Sequence, residues 1–441
     1  MKFPYNLPDK IFLDEIGAQI RPNPRNRHGL FSKIIWAVYI ALLMTNLGPV
    51  SPCYADESGI PKVGFLVSKT KQTIEEKSLI MGFQTFFREK SVDPSQYLIV
   101  QQYDDSEDSL LSSLANLLKE PNVKILVAPS DLDDSKDVLT AATVSEVLTF
   151  VTNPCVRFVS GEICRPNIFR VAPNTYLSSQ PLARWALPNI GRKVFISGDD
   201  SEPGNELSDF FALGLEKIGG SFGDRIMVPL DSNDFDSVFQ KLEESKADFI
   251  FAAFSEKTAP KFIKAYTEKN IAEKYPLVGV GSLTAYPEPI KELGKSGLGI
   301  RTLCSIKDPI AFGKSIDWKE AGNPDLAMAA QGYYIAGIFY SCLQEKAFEG
   351  SSLQKTYEFV SKLTVEGPQG KIQFDANREA ILEMEVCHWE HDSNGSLIRV
   401  LDEKFDKCHS LDFGCGGVGF PDRPELAQPE TGQTLWEEHN Q

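Results

Sequence analysis

Basic residues are scarce in this chain. Its 441 residues include 45 lysines and arginines against 61 acidic side chains, a net charge of −16. So acidic a surface excludes a nucleic-acid binder, which needs positive charge to meet phosphate, and disfavours docking on anionic lipid. Long apolar runs are also few, and a mean hydropathy of −0.20 excludes a polytopic membrane protein. Reaction motifs are missing as well. There is no GxxxxGK[ST] phosphate loop, no GxSxG nucleophile elbow and no HExxH zinc helix. Gly279-Val-Gly281 lacks the third glycine of a dinucleotide fingerprint and reads as a tight turn at a strand end. Cys387-His-Trp-Glu-His391, with Cys408-His409 and Cys415 further along, is the most metal-like cluster. Its spacing fits no zinc pattern, and a strand would turn Cys387 and His388 to opposite faces. No cofactor, no metal and no enzymatic activity are therefore expected.

The one conspicuous apolar run is Ile34 to Met44, preceded by a stretch with six basic and three acidic residues. Thr45-Asn-Leu-Gly-Pro49 breaks it, and Cys53-Tyr-Ala55 supplies small residues at −3 and −1. This is the pattern of a secretory signal peptide over 1–55. The alternative is an uncleaved N-terminal membrane anchor. Cleavage after Ala55 leaves 386 residues at −19. In an oxidising compartment some cysteines should pair. Cys155 with Cys164 and Cys408 with Cys415 enclose short loops and are the local candidates, although the pairing is open.

From residue 61 onward strand and helix patterns alternate. Val63–Val67, Tyr97–Val100, Val123–Ala128 and Phe169–Ala172 read as strands, with helices over 75–90, 107–119 and 136–148 between them. The alternation restarts with strands at 193–197, 225–228, 248–253 and 277–280, and a long helix follows over 324–347. Asp392-Ser-Asn-Gly395 reads as a hairpin turn between strands at 383–389 and 397–401. Two successive sets of βα units predict an α/β fold of two Rossmann-like, doubly wound parallel lobes with a ligand cleft between them. Lobe 1 is expected over 61–174 plus about 305–365, and lobe 2 over 175–304 plus about 366–402. An extended C-terminal tail is expected over 403–441.

Several segments, in order, resemble the type I periplasmic binding proteins, in their branched-chain amino-acid and amide branch. They are Asn167-Ile-Phe-Arg-Val-Ala-Pro173, Lys193-Val-Phe-Ile with Asp199-Asp200 and Gly204-Asn-Glu-Leu, Asp234-Phe to Ala247-Asp-Phe-Ile-Phe, Ala329-Ala-Gln-Gly-Tyr-Tyr334 and Gly367-Pro-Gln-Gly-Lys-Ile-Gln-Phe-Asp375. The resemblance runs from about 61 to 400. It implies that the first lobe holds a ligand carboxylate or amide with hydroxyls and backbone amides, aided by a helix N-terminus. The matching positions are Ser130, Phe150 and Thr152. Ser130 reads equally well as a helix N-cap, and Thr152 as a loop hydroxyl bonded to its own backbone. In the second lobe the chain departs from the pattern. Pro203 stands where a tyrosine is common, Phe254 lacks a hydroxyl, and Gly281 and Ser282 fall where an acid would hold an α-ammonium. An amide, a carboxylate without an amine, or another small metabolite fits better, with Asp199, Asp200 or Glu256 as nearby acids able to compensate.

The resemblance implies a monomeric periplasmic solute-binding protein. It would close around a small-molecule ligand and deliver it to an ABC permease in the inner membrane, without nucleic acid and without chemistry. A periplasmic sensor presenting ligand to a membrane receptor or kinase is the alternative, and a secreted metal-binding protein or enzyme the third.

Overall fold

The computed structural model describes residues 59–69, 73–104, 106–143, 145, 147–155, 165–255, 257–279, 287–319, 324–349 and 353–410. The expected signal sequence lies outside these residues.

The first half of the chain runs β1 (Lys62–Ser68), α1 (Ile74–Glu89), β2 (Leu98–Tyr103), α2 (Glu107–Lys119), β3 (Val123–Val127), α3 (Leu132–Ala142), β4 (Leu148–Val151) and β5 (Ile168–Arg170). These strands form a parallel five-stranded sheet ordered β2-β1-β3-β4-β5. Every residue of β4 is buried, as a strand covered on both faces requires. After α4 (Gln180–Asn189) come β6 (Lys193–Asp199), α5 (Glu202–Lys217), β7 (Ser221–Val228), α6 (Asp236–Ser245), β8 (Phe249–Ala253), α7 (Ala259–Glu268), β9 (Leu277–Gly279), α8 (Pro287–Leu293) and β10 (Arg301–Leu303). The chain then makes α9 (Pro309–Ser315), α10 (Leu326–Gln344), α11 (Gln354–Val360), β11 (Val365–Gly367), β12 (Gly370–Phe374), β13 (Ala380–His391) and β14 (Leu397–Cys408). The second sheet has nine strands, ordered β11-β12-β13-β10-β9-β8-β6-β7, with β14 on β13. Its β6–β10 portion is parallel, and β13 joins it antiparallel through β10. The expected two-lobed α/β architecture is what the chain adopts.

Helix α10 is long and apolar enough to cross a membrane by length and composition, yet 72% of its apolar window is buried inside the fold. It lies on α1, with β11 beside it. Glycines permit the close approach. A Cβ on Gly332 would sit 1.8 Å from the Leu79 carbonyl oxygen, and one on Gly82 would sit 1.8 Å from that of Ala329. Phe83, Phe87 and Phe339 fill the seam beside them.

Three expectations need correcting. The helix expected over 136–148 starts earlier, because Asp131 caps it by accepting from the backbone N–H groups of Asp133 and Asp134. It ends at Ala142, and Leu148-Thr-Phe-Val151 is a core strand instead, suited by its β-branched and aromatic residues. The last hairpin strand continues to Cys408, into the stretch expected as tail, because β13 is long enough to pair it. Cys155 and Cys408 are free thiols, while Cys164 and Cys415 lie outside the described residues. It is Cys304 and Cys387 that meet, brought sulfur to sulfur where β10 runs beside β13.

Candidate functional site

A cavity of about 560 Å³ opens where the strand ends of the two sheets face each other. Loops after β4 and β5 contribute Thr152, Pro154, Pro173 and Thr175 from the first half. The second half contributes Asp199 at the end of β6 and Ser201 beyond it, and Phe254 and Ser255 after β8. The first turns of α10 add Asp325, Met328 and Gln331, and Met384 of β13 lies among them. Strand C-termini supply most of this wall, which is where open α/β sheets bind ligands.

Local hydrogen bonding shapes the wall. Ser201 caps α5, its Oγ accepting from the Gly204 N–H at 3.2 Å. Asp325 caps α10, accepting from the Met328 N–H at 3.0 Å. Burial raises the pKa of Asp325, partly offset by that N–H. Thr175 donates its hydroxyl to Glu206 at 2.8 Å. Arg170, at the end of β5, pairs with Glu379 at 3.1 Å, and both side chains are fully buried. The Arg170 Nη1 also donates to the Asn153 carbonyl at 2.8 Å, and this fixes the loop that carries Thr152. At the rim Lys136 of α3 meets Glu202 of α5 at 2.9 Å, an ion pair between the two halves.

Four wall atoms have no hydrogen-bond partner although they are buried: Thr152 Oγ1, Asp199 Oδ1, Ser255 Oγ and Gln331 Oε1. Unpaired buried polar atoms cost free energy, so four around one cavity mark a place built for something that pairs with them. Their side chains are two hydroxyls, a carboxylate and an amide, and among the described residues no lysine, arginine or histidine is on the wall.

The sequence-predicted residues divide as follows. Thr152 and Phe254 line the cavity. Phe150 does not, being fully buried against Phe169 in the first core. Ser130 is off the wall too. The cap of α3 is its neighbour Asp131, and the Ser130 carbonyl accepts from Asn153 at 3.1 Å. Asp200 is exposed and accepts from Asn205 at 3.1 Å. Ser282, Gly281 and Glu256 lie outside the described residues. The metal-like cluster disperses, with Cys387 at Cys304 and His388 Nδ1 2.7 Å from Asp402. Among the described residues, no three His, Cys, Asp or Glu side chains are placed to hold a metal ion.

Sequence reasoning missed Ser255, Gln331 and Asp325 and left Asp199 unplaced. Two signals were available. Gln331 is the one polar side chain in the first two turns, 326–332, of a largely apolar helix. The period of two in a strand sends Asp199 and Asp200 to opposite sides, so only one of them can face the cleft.

A family profile described as "Periplasmic binding protein" matches residues 98–395. Over 80 residues the chain is 31% identical to the Leu/Ile/Val-binding protein homolog 6 of Brucella abortus (strain 2308), spanning 18% of this chain and only 20% of that relative's length. Among solved structures it resembles an ABC transporter substrate-binding protein from Sphaerobacter thermophilus. That match has a TM-score of 0.70 at 18% identity and covers 80% of this chain and 100% of that one. An R. palustris solute binding protein in complex with 4-hydroxybenzoate matches with a TM-score of 0.67 at 19% identity, over 81% and 99% of the two chains. A leucine binding protein from Thermotoga maritima MSB8 matches with a TM-score of 0.60 at 17% identity, over 79% and 99%. At these identities the structural likeness establishes the fold.

Proposed function

This chain belongs to the periplasmic binding protein family, and from that premise we propose that it captures one small solute between its two halves and hands it to an ABC-type importer in the membrane. The observation that carries this reading is the set of four buried, unpartnered polar atoms around a cavity of about 560 Å³. That volume suits a small metabolite. Among the described residues the wall holds no histidine, cysteine or lysine to act as base or nucleophile, which favours capture over chemistry. The relatives point the same way, being solute-binding and substrate-binding proteins of transporters. Export fits the leader over 1–55, with the mature protein working outside the inner membrane. Closure is by hinge, because the chain passes between the two sheets at three places: after β5, after β10 and after α11.

Native mass spectrometry of protein purified without denaturation tests the reading, together with small-angle scattering before and after solute is removed. A stoichiometric small solute, and a smaller radius of gyration with it bound, are expected. A chain that carries no solute and does not change size on exposure to a broad metabolite panel defeats the reading.

A further inference from the structure

The polar atoms left open on the cavity wall are unevenly distributed in kind. Asp199 is 1% exposed. Its Oδ2 accepts from the Ser255 N–H at 2.5 Å, and its Oδ1 has no partner. Gln331 is 4% exposed, with its Nε2 at the Met328 sulfur, 3.6 Å away, and its Oε1 unpaired. The open Asp199 atom is an acceptor, and the Gln331 amide can turn either its oxygen or its nitrogen to the cavity. The Thr152 and Ser255 hydroxyls can accept or donate. The Thr175 hydroxyl is already spent on Glu206, and Ser201 Oγ already serves Gly204. The second carboxyl on the wall, Asp325, adds no positive charge, and no cationic side chain lines the cavity among the described residues.

A buried carboxylate with one hydrogen bond and no counter-charge is an expensive arrangement. No described residue on the wall completes it, and a solute can. An ammonium brings positive charge and up to three donors, which match Asp199 Oδ1, Gln331 Oε1 and a hydroxyl oxygen. Leu207, Leu230, Phe254, Leu303, Met328 and Met384 supply apolar surface for the remainder of the molecule. An anionic group would instead meet Asp199 with no cation to offset it. Resting on the solute-capture reading above, we propose that the ligand is a small organic cation, a protonated amine on an apolar body without a carboxylate. This replaces the amide or carboxylate solute that the sequence resemblance suggests.

The test is calorimetric titration of the full chain with matched triplets: isopentylamine, leucine and 4-methylpentanoate, then tyramine, tyrosine and 3-(4-hydroxyphenyl)propionate. Any solute carried through native purification is identified by mass spectrometry in parallel. The expected result is that an amine binds at least 100-fold more tightly than its carboxylate and amino-acid counterparts, or that the carried solute is cationic. Asp199→Asn is expected to weaken amine binding about 100-fold with a ligand-free melting temperature unchanged or raised. Asp199→Ser gives the same reading should the Asn variant fold poorly. Tighter binding of the carboxylate or the amino acid, an anionic or zwitterionic carried solute, or undiminished amine binding in both variants overturns the charge assignment and leaves solute capture standing. Absence of any binding and of any carried solute overturns both.

Discussion

The backbone N–H of Ser255 donates to Asp199 Oδ2 at 2.5 Å, joining the C-terminal ends of β6 and β8 across the cavity floor. The bond holds the carboxylate in place from one side and leaves Oδ1 open on the other. The site is thus organised before a solute arrives, and residues around it should separate binding from stability.

Thr152→Val is the sharpest such case. The hydroxyl is buried without a partner, so the isosteric change should leave the ligand-free melting temperature unchanged or slightly raised. Affinity for a bound solute should fall roughly five- to tenfold, about 1 kcal/mol for one lost hydrogen bond. Thermal melting and calorimetry on the same preparation check both halves.

Arg170 and Glu379 form an ion pair with both partners out of solvent. Glu379→Gln leaves the guanidinium buried without counter-charge and should cost about 3–5 kcal/mol in urea unfolding. Replacing both, Arg170→Met with Glu379→Leu, should recover much of that loss. A double variant as unstable as the single one contradicts this account.

Gly332→Ala forces a methyl into the Leu79 carbonyl and should destabilise by about 1–3 kcal/mol, lowering the melting temperature. Gly313→Ala is the control. In α9 its added Cβ meets only the Leu326 side chain, no nearer than 3.7 Å, and the change should be neutral or stabilising.

Burial raises the Glu76 carboxyl to about 7, against the bond it accepts from the Ser68 N–H, and Asp134 and Glu75 push the same way. The folded chain then keeps a proton that the unfolded chain has lost. This contribution to stability is fully present below about pH 4.5 and is lost as pH rises through about 7. Glu76→Gln should flatten that slope and melt higher than the parent at pH 8. An identical pH profile in the variant refutes it.

Cys304 and Cys387, 83 positions apart, should appear as one cross-linked peptide pair on non-reducing digestion of exported protein. Reduction, or replacement of both by alanine, should cost about 2–4 kcal/mol. Cys342 is buried, its thiol pushed up to about 12, and should resist alkylation until the chain unfolds.

The fold was largely legible because parallel strands buried on both faces announce themselves as short apolar runs, as β3 and β8 do, and because caps such as Ser106 before α2 lie next to the helices they start. Helix α4 was not legible. Pro181 and Pro188 disguise it, although one sits at its first turn and the other in its last. The site was half legible. A strand-end loop can be located by pattern, and Thr152 and Phe254, named through the resemblance, lie on the cavity wall. Which of two adjacent acids turns inward, and which polar residue of a core helix faces a cavity, depends on rotation about an element. Asp199 and Gln331 are set by tertiary packing of that kind.

The seat of α10 has a consequence for the order of assembly. The helix that covers α1 begins 258 positions after β1 ends. A chain emerging N-terminus first cannot close its first hydrophobic core until three-quarters of it is present, and the long separation slows the search for that contact. Until α10 is made, the face of α1 that carries Gly82 lacks the partner it packs against.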